Sequence, residues 1–182
     1  FECSPFDEAL VITLDGGGDL KSGTISHATR KSGLKLLTSN NMLDSVGVFY
    51  GFITNFLGFK PNRHEGKVTG LAAYGDPKKA LHIMKKMISY KNGRIFGNHG
   101  KNFTAWNTGA IPEIEEELKN FSKEDISAAA QYWMEEIVKK FIDNYLQKYK
   151  VGNICLAGGI FANVKLNQRI REMDLVDNVF IF

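Results

Sequence analysis

The sequence predicts a mixed α/β domain in which helices pack on the faces of a mixed β-sheet. Short apolar runs with β-branched residues, typical of buried strands, alternate with longer segments whose apolar residues recur every three or four positions, as in helices. The resulting order is strand, strand, strand, helices, strand, helix, strand, which favours a sheet covered by helices. The length of 182 residues corresponds to one domain, or to one lobe of a larger fold.

Three strands are predicted in the first forty residues. Residues 9–14 form a β-branched apolar run, and the glycine-rich residues 15–19 that follow indicate a tight turn. Residues 23–29 and 34–38 predict two further strands. Together the three predict an antiparallel meander.

Two helices are predicted next. Pro77 suits the first turn of a helix that extends to about Tyr90. Before it, Asp44 can cap a helix whose apolar residues follow the i, i+3, i+4 spacing of a single buried stripe. That stripe consists of Val46, Phe49, Tyr50, Ile53, Phe56 and Leu57.

A loop and a long helix occupy the following segment. Residues 92–109 are rich in Gly and Asn without periodicity, which predicts a loop with a short strand at 94–96. A long helix begins at Ser122, with Asp125 as its weak capping-box partner, and ends at Gly152.

The last elements are a strand, a helix and a strand. Residues 153–157 predict a short buried strand, residues 158–172 a helix opened by two glycines, and residues 179–182 a final strand. Phe1 is not an initiator methionine, and native termini seldom interrupt an apolar strand. The chain is therefore expected to be a fragment of a longer protein.

Charge and cysteine content argue against several classes of protein. Twenty-three Lys and Arg against twenty Asp and Glu leave a net charge of +3, a surplus too small to predict nucleic-acid binding. The most apolar stretch, residues 46–59, is too short to span a bilayer, so no membrane partner is expected. The two cysteines, Cys3 and Cys155, predict no disulfide framework, and a reducing cytoplasm fits them best.

The glycine turn after the first strand is a candidate site. Glycines can expose backbone N–H groups to a phosphate, and Asp15 at the strand end can hold a divalent metal or orient a water. The alternative is that Asp-Gly only marks a β-hairpin turn.

A second candidate lies at Gly158 and Gly159, where a strand passes into a predicted helix. Free N–H groups at a helix start favour phosphate or ribose, and Asn163, one turn later, could bond to a sugar or base edge. The alternative is that the glycines only allow close strand–helix packing.

Charged residues crowd a third segment, residues 63–75. Lys67 could neutralise a phosphate and Glu65 could accept a hydroxyl group. The alternative is a solvated Glu–Lys pair. The segment is not a P-loop, because no glycine lies five residues before Lys67 and no Ser or Thr follows it.

The motifs, taken in order, resemble one family. Residues 4–11, the Asp15-Gly16 turn, residues 50–60, residues 65–75 (EGKVTGLAAYG) and residues 156–167 carry the likeness. The series resembles the amino-terminal domain of the nodulation-protein and antibiotic-tailoring O-carbamoyltransferases, over nearly the whole chain.

The resemblance implies an actin/hexokinase/Hsp70-like (ribonuclease H-like) fold of two α/β lobes with a nucleotide between them. The domain is also similar to the tRNA threonylcarbamoyl-transfer proteins. In the family a second domain makes carbamoyl-adenylate from ATP and carbamoyl phosphate. By this resemblance, the domain represented here would bind that intermediate and pass the carbamoyl group to the hydroxyl of a small molecule.

The resemblance also implies roles for the residues of the first strand end. Asp15, Gly16 and Gly17 would match the turn that faces the phosphate and a divalent metal, iron being one candidate. Asp15 would hold the metal and take part in catalysis, while the backbone up to Gly18 would support the phosphate.

The adenosine end of the ligand is assigned in the same way. Gly158, Gly159 and Asn163 would match the adenosine-binding turn between strand and helix. Glu65 and Lys67 would line the cleft nearby.

Parts of the family pattern lie outside this chain. Its paired-histidine metal motif would precede residues 4–6, and a further aspartate-bearing turn would follow residues 179–182. Residues 1–182 are therefore expected to hold mainly the second lobe, without the first lobe or the adenylate-forming domain. Such a fragment is expected to be inactive alone and to self-associate through exposed apolar surface.

Two other functions stay open from the sequence. One is a phosphotransferase or ATPase of the same fold, in which the aspartate activates a hydroxyl for attack on a γ-phosphate. The other is a noncatalytic lobe, which either binds nucleotide or uses its glycines only for tight bends.

Overall fold

The structure is a computed structural model that describes residues 1–98 and 112–182. Within these residues a five-stranded mixed sheet packs against helices, which confirms the predicted mixed α/β class. Most of the predicted loop at 92–109 falls on residues 99–111, outside the described residues.

The predicted antiparallel meander is confirmed. It consists of β1 (Glu8–Gly18), β2 (Lys21–Thr29) and β3 (Gly33–Asn41). The turn expected at residues 15–19 lies further along, because β1 continues to Gly18 and the chain reverses at Asp19 and Leu20. Both have positive φ angles, 51° and 61°, as the two-residue turns that match hairpin twist require.

Two parallel strands complete the sheet. Strand β6 (Asn153–Ala157) runs parallel to β1, and β7 (Asn178–Ile181) runs parallel to β6. The strand order is β3-β2-β1-β6-β7. The carboxyl ends of β1 and β6 therefore lie side by side, with Thr13 opposite Ala157.

The first helix, α1 (Val46–Phe56), begins one residue later than predicted. A short 3-10 helix, Met42–Asp44, precedes it. Ser45 is consequently the N-cap and accepts a 3.0 Å hydrogen bond from Val48 N. The Asp44 carboxylate instead accepts a bond of 2.8 Å from Gly97 N.

Helix α3 (Pro77–Met87) is shorter than predicted. The chain turns at Ile88 into β4 (Ile88–Lys91), which pairs with β5 (Arg94–Gly97) in a separate two-stranded sheet. The structure also has α2 (Glu65–Leu71), in the charged segment to which sequence analysis assigned no element.

The remaining helices are α4 (Pro112–Leu118), α5 (Lys123–Tyr149) and α6 (Val164–Arg171). Ser122 caps α5 as predicted, and its hydroxyl accepts a hydrogen bond from Asp125 N. Helix α5 ends three residues before Gly152, with Lys150 in the left-handed conformation as its C-cap.

One hydrophobic core joins the sheet to the helices. Alternate side chains of β1, those of Leu10, Ile12 and Leu14, are at most 1% exposed and belong to this core. Phe49 of α1 and Phe141 of α5 are fully buried in it as well. The core thereby fixes the position of α1 and α5 relative to the ends of β1 and β6.

Candidate functional site

The ends of β1 and β6 are in direct contact. Gly158 has a φ of 104°, and a Cβ atom there would lie 2.3 Å from the carbonyl oxygen of Leu14. A Cβ atom on Gly159 would lie 3.0 Å from Asp15 Oδ1. Only glycine permits this backbone approach, and as a result the two strand ends that sequence analysis selected meet at one point.

An irregularity in β1 turns Asp15 out of the regular strand pairing. Leu14 pairs with Gly23 and Gly18 pairs with Lys21, so residues 15–17 lie opposite Ser22 alone. Such bulges bend a strand and redirect its side chains, and they recur beside active sites. Gly16 N donates a 2.7 Å hydrogen bond to the Asp15 carboxylate.

The glycines after Asp15 do not act as a positive-φ turn. The positive-φ glycines of the described residues are at positions 33, 58, 93 and 158, so Gly16, Gly17 and Gly18 keep ordinary strand-type backbone. The turn predicted at these glycines therefore lies further along, at Asp19 and Leu20, and contact of the Gly16–Gly18 backbone with a phosphate stays a prediction.

The first turn of α1 packs on the backbone of this bulge. Ser45 Oγ donates a 2.9 Å hydrogen bond to the Asp15 carbonyl. A Cβ atom on Gly47 would lie 2.7 Å from Gly16 N. Sequence analysis did not select Gly47, because only the fold brings α1 against β1.

The chain after Gly158 also differs from the prediction. A 3-10 helix, Gly159–Ala162, comes before α6, so the glycines do not open an α-helix directly. Asn163 is the N-cap of α6, and its Oδ1 accepts a 3.0 Å hydrogen bond from Leu166 N.

These elements surround a cavity of about 580 Å³, a size typical of small-molecule sites. Its walls come from β1, α1, the segment before and within α2, α5 and the residues after β6. The lining residues are Asp15, Gly16, Gly47, Tyr50, Asn62, Arg63, Glu65, Gly66, Thr69, Met134, Gly159, Ile160, Ala162, Asn163 and Val164.

The cavity contains some of the residues predicted from sequence but not all. Asp15, Gly16, Glu65, Gly159 and Asn163 line it. The remaining four predicted residues, Gly17, Gly18, Lys67 and Gly158, are not among its lining residues.

Three of these four have other neighbours in the structure. A Cβ atom on Gly17 would lie 2.5 Å from Met42 Cγ, so that glycine packs against the 3-10 helix before α1. Lys67 Nζ lies over the ring of Phe59, 5.4 Å from its centroid. Gly158 packs against the backbone of Leu14.

A polar network forms one wall of the cavity. Tyr50 donates a 2.7 Å hydrogen bond to Gln131 Oε1, and its hydroxyl lies 3.1 Å from Thr69 Oγ1. Asn163 Nδ2 donates to Gln131 Oε1 at 2.8 Å and to Thr69 Oγ1 at 3.2 Å. Burial raises the pKa of Tyr50 well above its usual value, so its hydroxyl remains protonated.

The same network extends along one face of α5 to α6. Gln131 Nε2 donates a 2.7 Å hydrogen bond to Glu135, whose carboxylate lies 3.5 Å from Arg169 Nε on α6. The amide of Asn163 is thus committed to protein partners at both of its polar atoms. Sequence analysis assigned Asn163 to a ligand and did not detect this network, whose members are far apart in the chain.

The acidic residues of the cavity do not make up a metal centre by themselves. Asp15 and Glu65 are the carboxylates among the lining residues. Over residues 1–98 and 112–182, no group of three or more His, Cys, Asp or Glu side chains is placed to hold a metal ion.

Fold and site together define an α/β domain with a small-molecule cavity at the carboxyl ends of adjacent parallel strands, a usual place for ligands in such sheets. The chain belongs to the carbamoyltransferase amino-terminal family, whose model matches residues 1–182. The family resemblance predicted from sequence is thereby confirmed.

Several relatives are known by sequence. An uncharacterized protein of Methanocaldococcus jannaschii is 39% identical over 94% of this chain. The nodulation protein NolO of Bradyrhizobium diazoefficiens is 28% identical, and NolNO of Sinorhizobium fredii 27% identical, both over 100% of the chain. The chain spans only 34%, 33% and 26% of the lengths of these three relatives.

No helix among the described residues is long and apolar enough to cross a membrane.

Proposed function

We propose that this chain forms the adenylate-binding part of an O-carbamoyltransferase, which moves a carbamoyl group from carbamoyl-adenylate to the hydroxyl of a small molecule. The observation that carries the proposal is the contact of Gly159 with Asp15 at a 580 Å³ cavity, in a chain of the carbamoyltransferase family. Carbamoyl-adenylate would be made from ATP and carbamoyl phosphate by a separate domain of the full-length protein.

The character of the cavity suits an adenylate. Met134, Ile160 and Val164 provide apolar surface for a base, while Asp15 and Arg63 provide charge for a sugar phosphate. Binding sites for small molecules commonly combine an apolar wall with a few polar groups that fix orientation.

The architecture proposed for the full-length protein is an actin-like pair of lobes, with this chain as mainly the second lobe. The arrangement of three antiparallel strands followed by two parallel ones is compatible with such a lobe. The length of the relatives supports the idea that a first lobe and an adenylate-forming domain lie elsewhere in the protein.

The proposed reaction is acyl transfer from a mixed anhydride to an alcohol, which needs charge neutralisation at the leaving phosphate and polarisation of the carbonyl group. A bound divalent metal, such as iron, would supply such charge stabilisation. Asp15 is the residue of this chain that would hold it, and its carboxylate is fixed by the hydrogen bond from Gly16 N. The described residues do not complete a ligand set, so further ligands would come from other parts of the protein.

The experiment that tests the proposal separates adenylate formation from carbamoyl transfer in the full-length protein. Asp15→Asn should leave carbamoyl-phosphate-dependent ATP–pyrophosphate exchange intact and lower carbamoyl transfer to a panel of alcohols at least about a hundredfold. Asp19→Asn is the matched control, since Asp19 lies in the β1–β2 turn outside the cavity. Equal transfer by both variants would refute the role of Asp15.

The same assays distinguish the other functions. A phosphorylated product formed without carbamoyl phosphate would favour a phosphotransferase or ATPase. Nucleotide binding without any transfer, or no affinity for nucleotide, would favour a noncatalytic lobe.

A further inference from the structure

The loop between α1 and α2 is held in one conformation by its own hydrogen bonds. Lys60 N donates to His64 Nδ1 at 3.1 Å, and His64 N donates to the Lys60 carbonyl at 3.0 Å. Gly58, with a φ of 84°, and Phe59 bond back to the last turn of α1. The loop is therefore an ordered turn whose two ends are held by hydrogen bonds.

The residue at the tip of this turn has an unusual backbone conformation. Asn62 has a φ of 62°, which asparagine tolerates better than most residues but which still costs conformational energy. Its N–H donates a hydrogen bond to Glu65 Oε1, at the start of α2. Glu65, predicted from sequence to contact a ligand, thus also stabilises the turn that places the next residue, Arg63.

Arg63 lines the cavity together with Asp15 and Gly159. No hydrogen bond or ion pair joins its guanidinium group to another of the described residues. Two other arginines are engaged by carboxylates: Arg30 bonds to Glu2, and Arg169 pairs with Glu135 and Glu172.

The chemistry of that unengaged group is specific. A guanidinium remains charged at any ordinary pH and presents planar, paired donors that match the oxygens of a phosphate. Bonds of this kind to an anion are about twice as strong as bonds between neutral groups. Asp15 and Glu65 lie in the same cavity, yet neither carboxylate comes within 4.0 Å of Arg63 among the ion pairs of the described residues.

Sequence analysis gave the phosphate-neutralising role to Lys67. In the structure Lys67 is outside the cavity lining and its ammonium group lies over Phe59. Arg63, four residues earlier, is the cation that lines the cavity.

We propose that Arg63 is the specificity-determining residue that recognises the phosphate of the adenylate, and that the Asn62–Glu65 turn positions it. This inference rests on the proposed function, because it assigns the phosphate subsite within the same nucleotide cavity. It predicts that Arg63 discriminates a nucleotide from its nucleoside and contributes little to binding of the nucleoside itself.

The test compares AMP with adenosine by isothermal titration calorimetry on the full-length protein. Arg63→Ala should weaken AMP binding by about ten- to a hundredfold, the effect expected for loss of a hydrogen bond between charged groups. Adenosine affinity should stay unchanged, which also shows that the variant is folded. Arg63→Lys, which keeps the charge but not the paired donors, should give an intermediate loss.

Lys60→Ala is the matched control. Lys60 is an exposed cation of the same loop that does not line the cavity, so the AMP-to-adenosine preference should persist. The inference would be overturned if the Arg63→Ala variant still preferred AMP to adenosine, or if it bound both ligands more weakly by the same factor. It would also be overturned if the Lys67→Ala variant lost the preference and the Arg63→Ala variant kept it. Failure of the unmodified protein to bind either ligand would instead refute the nucleotide site itself, and the inference with it.

Discussion

Gly158 and Leu14 are in backbone contact, and a Cβ atom at position 158 would lie 2.3 Å from the Leu14 carbonyl oxygen. The contact joins the carboxyl ends of β6 and β1. It depends on glycine twice, because the φ of 104° at Gly158 is also one that L side chains rarely adopt. The proximity of Asp15 to Gly159 follows directly from this contact.

Gly158→Ala should therefore destabilise the chain. The added methyl group would collide with backbone, which cannot rotate away as a side chain can, and the positive φ adds strain. We expect the free energy of unfolding to fall by about 2–4 kcal/mol, measured by urea denaturation followed by circular dichroism.

Gly70→Ala is the control for this prediction. Gly70 lies within α2, and a Cβ atom there would meet nothing within 4 Å. Alanine at an open helical position should raise the free energy of unfolding by about 0.5–1 kcal/mol. A similar change in both variants would contradict the close contact at Gly158.

Asp125 makes the stability of the chain sensitive to acid. Its carboxylate accepts a 2.8 Å hydrogen bond from Lys79 Nζ and another of 2.8 Å from Asp76 N. The Lys79 bond, followed by the Asp76 bond, lowers the pKa of Asp125 from 3.8 to about 2. Because the unfolded chain then binds more protons than the folded chain, stability rises with pH across this interval.

Asp125→Asn should remove that dependence. The stability difference between the natural chain and the variant should be fully present above pH 3.8 and should shrink as the pH falls toward about 2. Urea denaturation at a series of pH values measures the difference. Asp19→Asn, in the exposed hairpin turn, is the control and should lose stability in acid as the natural chain does. If the Asp125→Asn variant lost as much stability in acid as the Asp19→Asn variant, the acid sensitivity would belong to another group.

Local patterns were enough to predict most elements of the fold. The helix at α1 and the strand at β1 are confirmed, because an apolar period of three to four residues or a β-branched apolar run is a local signal. The burial of α1 extends beyond the predicted stripe, since Phe52 and Thr54 are buried as well. The end of β1 was misplaced, since the glycines after Asp15 resemble a turn but lie in a bulge. The prediction of Asp44 as the cap of α1 is wrong by one residue, since Ser45 is the N-cap. Asp44 belongs to a short 3-10 helix, which has no clear signal in the sequence.

Most cavity residues that the sequence predicts lie at or just after a strand end, and Glu65 of the charged segment is the exception. Asp15 and Gly159 each follow an apolar strand, and parallel pairing then brings them together. Arg63 and Gly47 have no such signal, since their position at the cavity depends on the packing of α1 and of the loop before α2. Lys67 illustrates the reverse case, a charged residue beside glycine whose side chain the fold directs to Phe59.

Asn163 offers a test of how much of the cavity wall is structural. Asn163→Ala removes the N-cap of α6 and the hydrogen bonds to Thr69 and Gln131. We expect a loss of roughly 2–4 kcal/mol in the free energy of unfolding, from the cap and from the buried Gln131 amide that loses a partner.

Asn163→Ser separates the two contributions, because serine caps a helix but is too short to reach Gln131. It should recover about 1 kcal/mol relative to Asn163→Ala. Thermal or urea denaturation of both variants gives the comparison. Equal stability of the two variants would show that the cap contributes nothing and that the network accounts for the whole effect.

The last prediction concerns Tyr50 and Thr69, which share the polar wall of the cavity. Tyr50→Phe should lower the free energy of unfolding by about 1–2 kcal/mol, since it removes a hydroxyl bonded to the buried Gln131 side chain. Thr69→Val removes the neighbouring hydroxyl, 3.1 Å away. Because the two hydroxyls belong to one network, the double variant should deviate from additivity by at least about 0.5 kcal/mol.

A second double-mutant cycle, which combines Thr29→Val with Tyr50→Phe, is the reference. Thr29 lies opposite Glu8, at the end of the sheet away from Asp15, and its hydroxyl bonds to Ser32. Its combination with Tyr50→Phe should be additive within about 0.5 kcal/mol, as expected for sites that share no partner. Additivity in the Tyr50–Thr69 pair as well would mean that the two side chains stabilise the fold independently, and that the wall of the cavity is not a coupled network.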